Sequence, residues 1–241
     1  MSARARRSIG YYAVAATVVA ALVWPLLALA YFDTEHGVES LDVATVSAWA
    51  VPARDLVEGL VTWGSADRVY ATYSQLLALM FPAVLLTAVA ARRQRPAPAQ
   101  RSERVGWRIA LTGYGLFAAG TLTFGASVLS GDADPSGIVS GLAFLALMLP
   151  GLLLSSIGST VLGVVFLRSG YRPRMTAWLL ATSFPLFLFG NIVLGHNGFG
   201  VVMLMAAWAA TGWTWRTASE PAPDVDGSQP AGSDRLAAPR R

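Results

Sequence analysis

The 241-residue sequence contains no cysteine and no lysine, so cysteine nucleophiles, thiolate metal sites, disulfides, Schiff bases and lysine-dependent phosphate loops are all excluded. What remains for acid–base or metal chemistry is two histidines and a scatter of carboxylates. His36 stands in "DTEHGVESLD" beside Glu35 and Glu39, His196 stands in "GNIVLGHNGFG" shortly after Asn191, and "GDADPSG" adds Asp132 and Asp134. Imidazole with carboxylates can hold a divalent ion or act as a general base. The spacing matches no metal motif such as H-E-x-x-H, and no serine elbow, phosphate loop or dinucleotide fingerprint is present. The candidate polar site is therefore His196, His36, Asn191, Glu35, Glu39, Asp132 and Asp134. No catalytic residue, metal or other cofactor is assigned to it.

A plainer role competes for His196. Gly195-His196-Asn197-Gly198 is about the shortest link that can reverse direction between two antiparallel helices. Gly195 can end the first helix in a left-handed conformation, and Asn197 can cap the second. A turn is the first reading of this histidine and a site the second.

The elements that must position these residues are apolar. Hydrophobic residues make up 54% of the chain and charged ones 13%, against about a quarter charged in a soluble domain. The charges cluster between apolar runs long enough to cross about 30 Å of hydrocarbon. Six runs stand out, over about 11–32, 67–91, 105–130, 137–167, 175–194 and 198–215. The expectation is an all-α, polytopic integral membrane bundle of six spans. Residues 1–10 and a Pro/Gly/Ser/Asp-rich tail, 216–241, flank it, and the tail has the composition of a disordered segment. Ala28-Leu29-Ala30 resembles a signal-peptidase site, but the apolar stretch before it exceeds the usual 7–15 residues or so of a signal peptide. The first run is read as an uncleaved span.

Arginine sets the orientation. Of the 18 basic residues, all arginine, only Arg54 and Arg68 fall on the side opposite the N-terminus. That asymmetry predicts both termini in the cytoplasm. The acids run the other way, and tyrosines and tryptophans gather at the predicted span ends. In a membrane protein the net charge of +4 is a topology signal, and no nucleic acid partner is expected.

No Asp, Glu or Arg lies in the central part of a predicted span, which argues against a proton- or ion-driven pump. Gly151, Ser155, Ser159 and Gly163 repeat every four residues and define a helix-packing face. Pro25, Pro82, Pro150 and Pro185 predict kinks inside four spans. In the external loop, 33–66, "VPARDLVEGLVTW" predicts a short amphipathic helix near 52–63 that starts at Pro52 and buries Leu56, Val57, Leu60 and Val61.

"LGVVFLRSGYRPRMTAWLLATSFPLFLFG", residues 162–190, resembles a stretch of uncharacterised bacterial multi-span membrane proteins: a span ending in Arg168-x-Gly170, then Pro173-Arg174, then a tryptophan-led span. The resemblance covers about an eighth of the chain. It implies a bacterial cytoplasmic-membrane address and carries no activity. A non-catalytic membrane protein acting through lipids, a membrane-protein partner or a second copy of itself is the first expectation for function. A permease or binding protein for a neutral or lipophilic solute is the second, and a membrane enzyme with an external His/carboxylate site the third.

Overall fold

In the computed structural model, which describes residues 1–95, 100–129 and 138–217, all regular structure is helical. The order is α1 (Ala3–Tyr31), α2 (Ala44–Leu56), α3 (Glu58–Val61), α4 (Ala66–Met80), α5 (Pro82–Gln94), α6 (Arg101–Leu129), α7 (Ile138–Ala143), α8 (Leu149–Arg168), α9 (Arg174–Ala181), α10 (Ser183–Val193) and α11 (Gly198–Thr217). A 3-10 turn, Val38–Asp42, precedes α2, and a π-helical segment, Phe144–Met148, joins α7 to α8.

Among the described residues three helical stretches are long and apolar enough to cross a membrane: Ala3–Tyr31, Ala66–Gln94 and Gly141–Arg168. The pair α9 and α10 meets the same test jointly but is bent by 51°, so the count rises to four if that pair is one span. Helix α6 begins at Arg101, ahead of the expected 105, and α11 carries Arg216 and Thr217 out of the expected tail. The rest of that tail, Asp132 and Asp134 lie outside the described residues.

Three of the four prolines fall where the expected spans are interrupted, and Pro185 follows a bend of 51°. Only Pro25 sits inside an uninterrupted long helix. Pro82 starts α5, Pro150 falls in the first turn of α8 directly after the π-helical segment, and Pro185 falls in the first turn of α10. A first-turn proline lacks a donor that would have no intrahelical partner anyway. At the α9–α10 break, Thr160 of α8 supplies an acceptor: its hydroxyl takes the Phe184 N–H at 3.1 Å.

Glycine and serine set how close the helices come. Gly113 of α6 lies directly against the backbone of Ser155, Gly151 against Phe117, and Gly158 against Ala110, so no side chain fits between α6 and α8. Gly163 abuts Ala181 of α9 instead. The four-residue stripe is therefore consumed inside one chain, by two different neighbours. At the arginine-rich end Gly10 of α1 packs on Gly212 of α11. Trp208 of α11 is fully buried among Trp107, Tyr114 and the α8 helix, and ties the bundle together.

The 33–66 loop departs from expectation. Its helix starts at Ala44, not Pro52, and Pro52 is interior to α2. Val57 breaks it before the single turn of α3. Val46, Ala50 and Val61 form the buried face against Leu29 and Phe32 of α1, whereas Leu56 is 86% exposed and Leu60 is exposed too. Val46 and Ala50, four residues apart, lie one helical turn apart on α2 and define its inward side. Asp33 anchors this cap through an ion pair with Arg54 at 2.7 Å. Burial pushes the Asp33 carboxyl above the usual range, and the Arg54 charge pulls it only part of the way back.

Candidate functional site

His196 is 9% exposed and occupies the turn between α10 and α11. The turn is built by its neighbours. Gly195 takes φ +66, which suits a residue without Cβ, and the His196 N–H donates to Gly190 O at 3.1 Å, closing α10. The side chain then starts the next helix, because Gly198 N–H donates to His196 Nδ1 at 3.1 Å. The expected cap, Asn197, is not the acceptor. A nitrogen that accepts a hydrogen bond carries no proton, so the imidazole is neutral with its proton on Nε2. Burial pushes its pKa down from 6.5 to about 4, in the same direction.

Aromatic side chains fix the ring. Tyr31 packs on His196 with centroids 5.6 Å apart and on Tyr70 at 5.6 Å, while Trp24 packs on Phe199 at 5.5 Å and against Gly198. The Tyr31 hydroxyl donates to the carbonyl oxygen of His36 at 3.3 Å. His36, Glu35 and Glu39 are themselves exposed. Asn191 is exposed as well, and its amide donates to Phe187 O at 2.9 Å within its own helix, not across to another. Among the described residues no group of three or more His, Asp or Glu is placed to hold a metal ion. Among the described members of the candidate set, only His196 is inside, and His36, Glu35, Glu39 and Asn191 do not join it.

What it lines is a partly open pocket of about 120 Å³. Leu27 of α1, Leu77 and Phe81 at the end of α4, Phe117 of α6 and Val201 of α11 make the walls apolar. Phe144 and Met148 come from the π-helical segment, a geometry that shifts side chains out of the ordinary helical register. Tyr70, Ser74, Thr121, His196 and Asn197 supply the polar atoms, and among the described residues no charged side chain lines the pocket. Several of those polar groups are already used: Tyr70 bonds Ser74, and Thr121 donates to Ala118 O at 3.0 Å. This is an arrangement for holding a small apolar group, with few hydrogen bonds to offer and no general base.

No family model, no curated protein and no solved structure matches the chain. Its function must be read from the site itself.

A second polar system, at the opposite end of the bundle, was not legible from residue spacing. Glu103 of α6 is only 7% exposed, pairs with Arg95 at 3.0 Å and accepts the Trp107 indole N–H at 3.3 Å. The Arg95 guanidinium lies over Phe166 and Tyr171, 4.8 and 5.2 Å from their centroids. Deeper in the bundle Trp208 donates to the Tyr114 hydroxyl at 3.1 Å, and that oxygen is 2.6 Å from Ser159 Oγ. Thr176 donates to Ala207 O at 2.8 Å and lies 3.0 Å from Thr211. These bonds clamp α6, α8, α9 and α11.

Proposed function

We propose that this chain is a six-span protein of a bacterial cytoplasmic membrane, with both termini inside, and that its role is non-catalytic. It holds a small, neutral, lipophilic molecule in the pocket beneath the His196 turn, as a binding protein or permease does. The observation that carries this reading is the lining: apolar walls, no charged side chain, and a histidine that is neutral with Nδ1 already committed. A charged ligand would lose its hydration there without compensation. With Nδ1 engaged, Nε2–H is the donor the imidazole retains, which suits a ligand carrying one acceptor oxygen.

The membrane topology draws support from contacts that gather the arginines. Arg6 reaches Gln94 at 3.5 Å, and Arg216 lies over Tyr11 at 4.3 Å, so the start of α1 and the ends of α5 and α11 share one end. Such grouping is what cytoplasmic loops require. The small-residue stripe, used between α6, α8 and α9, leaves no comparable seam for a second copy.

The test is photolabelling of the purified chain with an aliphatic diazirine alcohol. The expected result is label on the Phe144–Met148 segment or on α4 near Ser74, lost in Ser74→Phe, a variant that fills the pocket while leaving the melting temperature intact. Label that persists undiminished in Ser74→Phe overturns the reading.

A further inference from the structure

At the arginine-rich end, a second pocket of about 200 Å³ lies between α5 and α6, lined by Arg92, Arg104, Arg108, Trp107 and Leu111. We propose that this is a binding site for a phosphate monoanion or diester, held by Arg92, Arg104 and Arg108, and that its occupant is the headgroup of an anionic phospholipid whose first acyl carbons lie on Trp107 and Leu111. Neither the sequence motifs nor the pocket under His196 touches this site. The inference stands apart from the solute-binding reading and shares with it only the membrane.

Three observations carry it. The first is uncompensated charge. Among the described residues no carboxylate pairs with any of the three arginines, because the acid on this stretch of α6, Glu103, is committed to Arg95 and Trp107. The second is position. Arg104 and Arg108 are i and i+4 neighbours in the first turns of α6, where like charges repel across about 5–6 Å and the helix dipole disfavours cations. An anion seated between the two guanidinium groups relieves that repulsion. An anion seated there gains the guanidinium forks as well as the positive end of the helix.

The third observation is the apolar side of the pocket. Trp107 is 2% exposed and its indole N–H is turned to Glu103, so its ring is left as a wall, and half-buried Leu111 continues that wall one turn deeper along α6. Basic pockets between helices on a cytoplasmic face, with a hydrocarbon wall below the charges, match the two halves of a phospholipid. A free phosphate would use the arginines but not Trp107 and Leu111. That difference separates the two sources of the same chemistry.

The experiment is native mass spectrometry of the full chain released from nanodiscs, with three preparations compared. These are phosphatidylcholine alone, phosphatidylcholine doped with phosphatidylglycerol, and phosphatidylcholine with inorganic phosphate in the buffer. The proposal expects retained phosphatidylglycerol adducts on the wild type. Arg104→Gln with Arg108→Gln should bind at least about tenfold more weakly, since each removes a charge-assisted hydrogen bond made directly to the phosphate. A control with exposed arginines elsewhere, Arg4→Gln with Arg168→Gln, should bind like the wild type. If the double variant does not fold, Arg92→Gln alone gives the same comparison with one charge removed. Equal phosphatidylglycerol retention by wild type and pocket variants, or equal retention of phosphatidylcholine and phosphatidylglycerol, overturns the site. Displacement of the lipid by millimolar inorganic phosphate would overturn the lipid as occupant.

Discussion

The Nδ1 of His196 accepts the amide hydrogen of Gly198 at 3.1 Å, so a histidine side chain starts the last helix of the bundle. One imidazole thus closes a turn, buries its ring against Tyr31 and lines the small pocket below. Accepting that amide requires the neutral form.

Acid should therefore loosen this end of the protein. Burial holds the folded-state pKa of His196 at about 4, below the ordinary 6.5, so between those values the unfolded chain binds the extra proton. The stabilisation is complete above pH 6.5 and is lost as pH falls towards 4, by about 3 kcal/mol at most. Melting in detergent from pH 7.5 to 4.5 measures it. His196→Asn, whose oxygen can take the same amide, should remain folded and lose most of the pH dependence. An unchanged slope in that variant would place the acid sensitivity elsewhere.

The Tyr114 hydroxyl stands between Trp208 and Ser159, and its removal strands both. Tyr114→Phe leaves a buried indole donor without an acceptor and should cost about 1–3 kcal/mol. Ser159→Ala removes only one bond and should cost less. Ser159→Leu must also push a branched side chain into the α6–α8 contact, where Ser159 is fully buried, and should be the most damaging of the three. Thermal denaturation in one detergent ranks them, and a neutral Ser159→Leu would contradict this packing.

Apolar run length made the helices legible in the sequence, and the requirement of a left-handed residue made Gly195 legible as a helix end. Length alone does not say where a backbone breaks. Ala66–Gln94 divides at Phe81 because Pro82 cannot donate, and α9 parts from α10 at Thr182 because Thr160 of another helix captures the Phe184 amide. The second has a local signal in Pro185, whose ring opposes the carbonyl of Ala181 four residues earlier, but the acceptor from Thr160 is tertiary and cannot be read locally. The same holds for the cap, where alternation between residues 44 and 56 does not reveal which face meets Leu29 and Phe32. At the candidate site, residue type singled out His196. It also singled out His36, Glu35 and Glu39, which are polar for the ordinary reason that water surrounds them. Tyr31, Tyr70 and Met148, which help shape the site, read in the sequence as interface aromatics and apolar filler.

The Arg95–Glu103 pair makes a sharper test of packing than a surface ion pair would, because the two side chains are 21% and 10% exposed. Glu103→Leu leaves Arg95 beside Phe166 with no counter-charge and should cost about 3 kcal/mol. Glu103→Gln keeps an acceptor for Trp107 and should cost less. Arg95→Met combined with Glu103→Leu should recover most of the loss, since a matched apolar pair carries no stranded charge. If the double variant is as unstable as Glu103→Leu alone, the damage lies in packing and not in charge.

The absence of cysteine allows the proposed topology to be tested with single introduced thiols. Glu39 and Ser102 are both exposed, and α4 and α5 separate them, running together as one stretch long enough to cross a membrane. Glu39→Cys should react with a membrane-impermeant maleimide in intact cells. Ser102→Cys should react only after permeabilisation. Arg168→Cys, at the end of α8, should behave as Ser102→Cys does, because Phe166 beside it packs edge-on against Trp107 at the arginine-rich end. A reversed pattern would invert the orientation, which the arginine asymmetry opposes. Equal labelling of Glu39→Cys and Ser102→Cys from outside would be more damaging. It would mean that Ala66–Gln94 does not cross, and the six-span reading would fall with it.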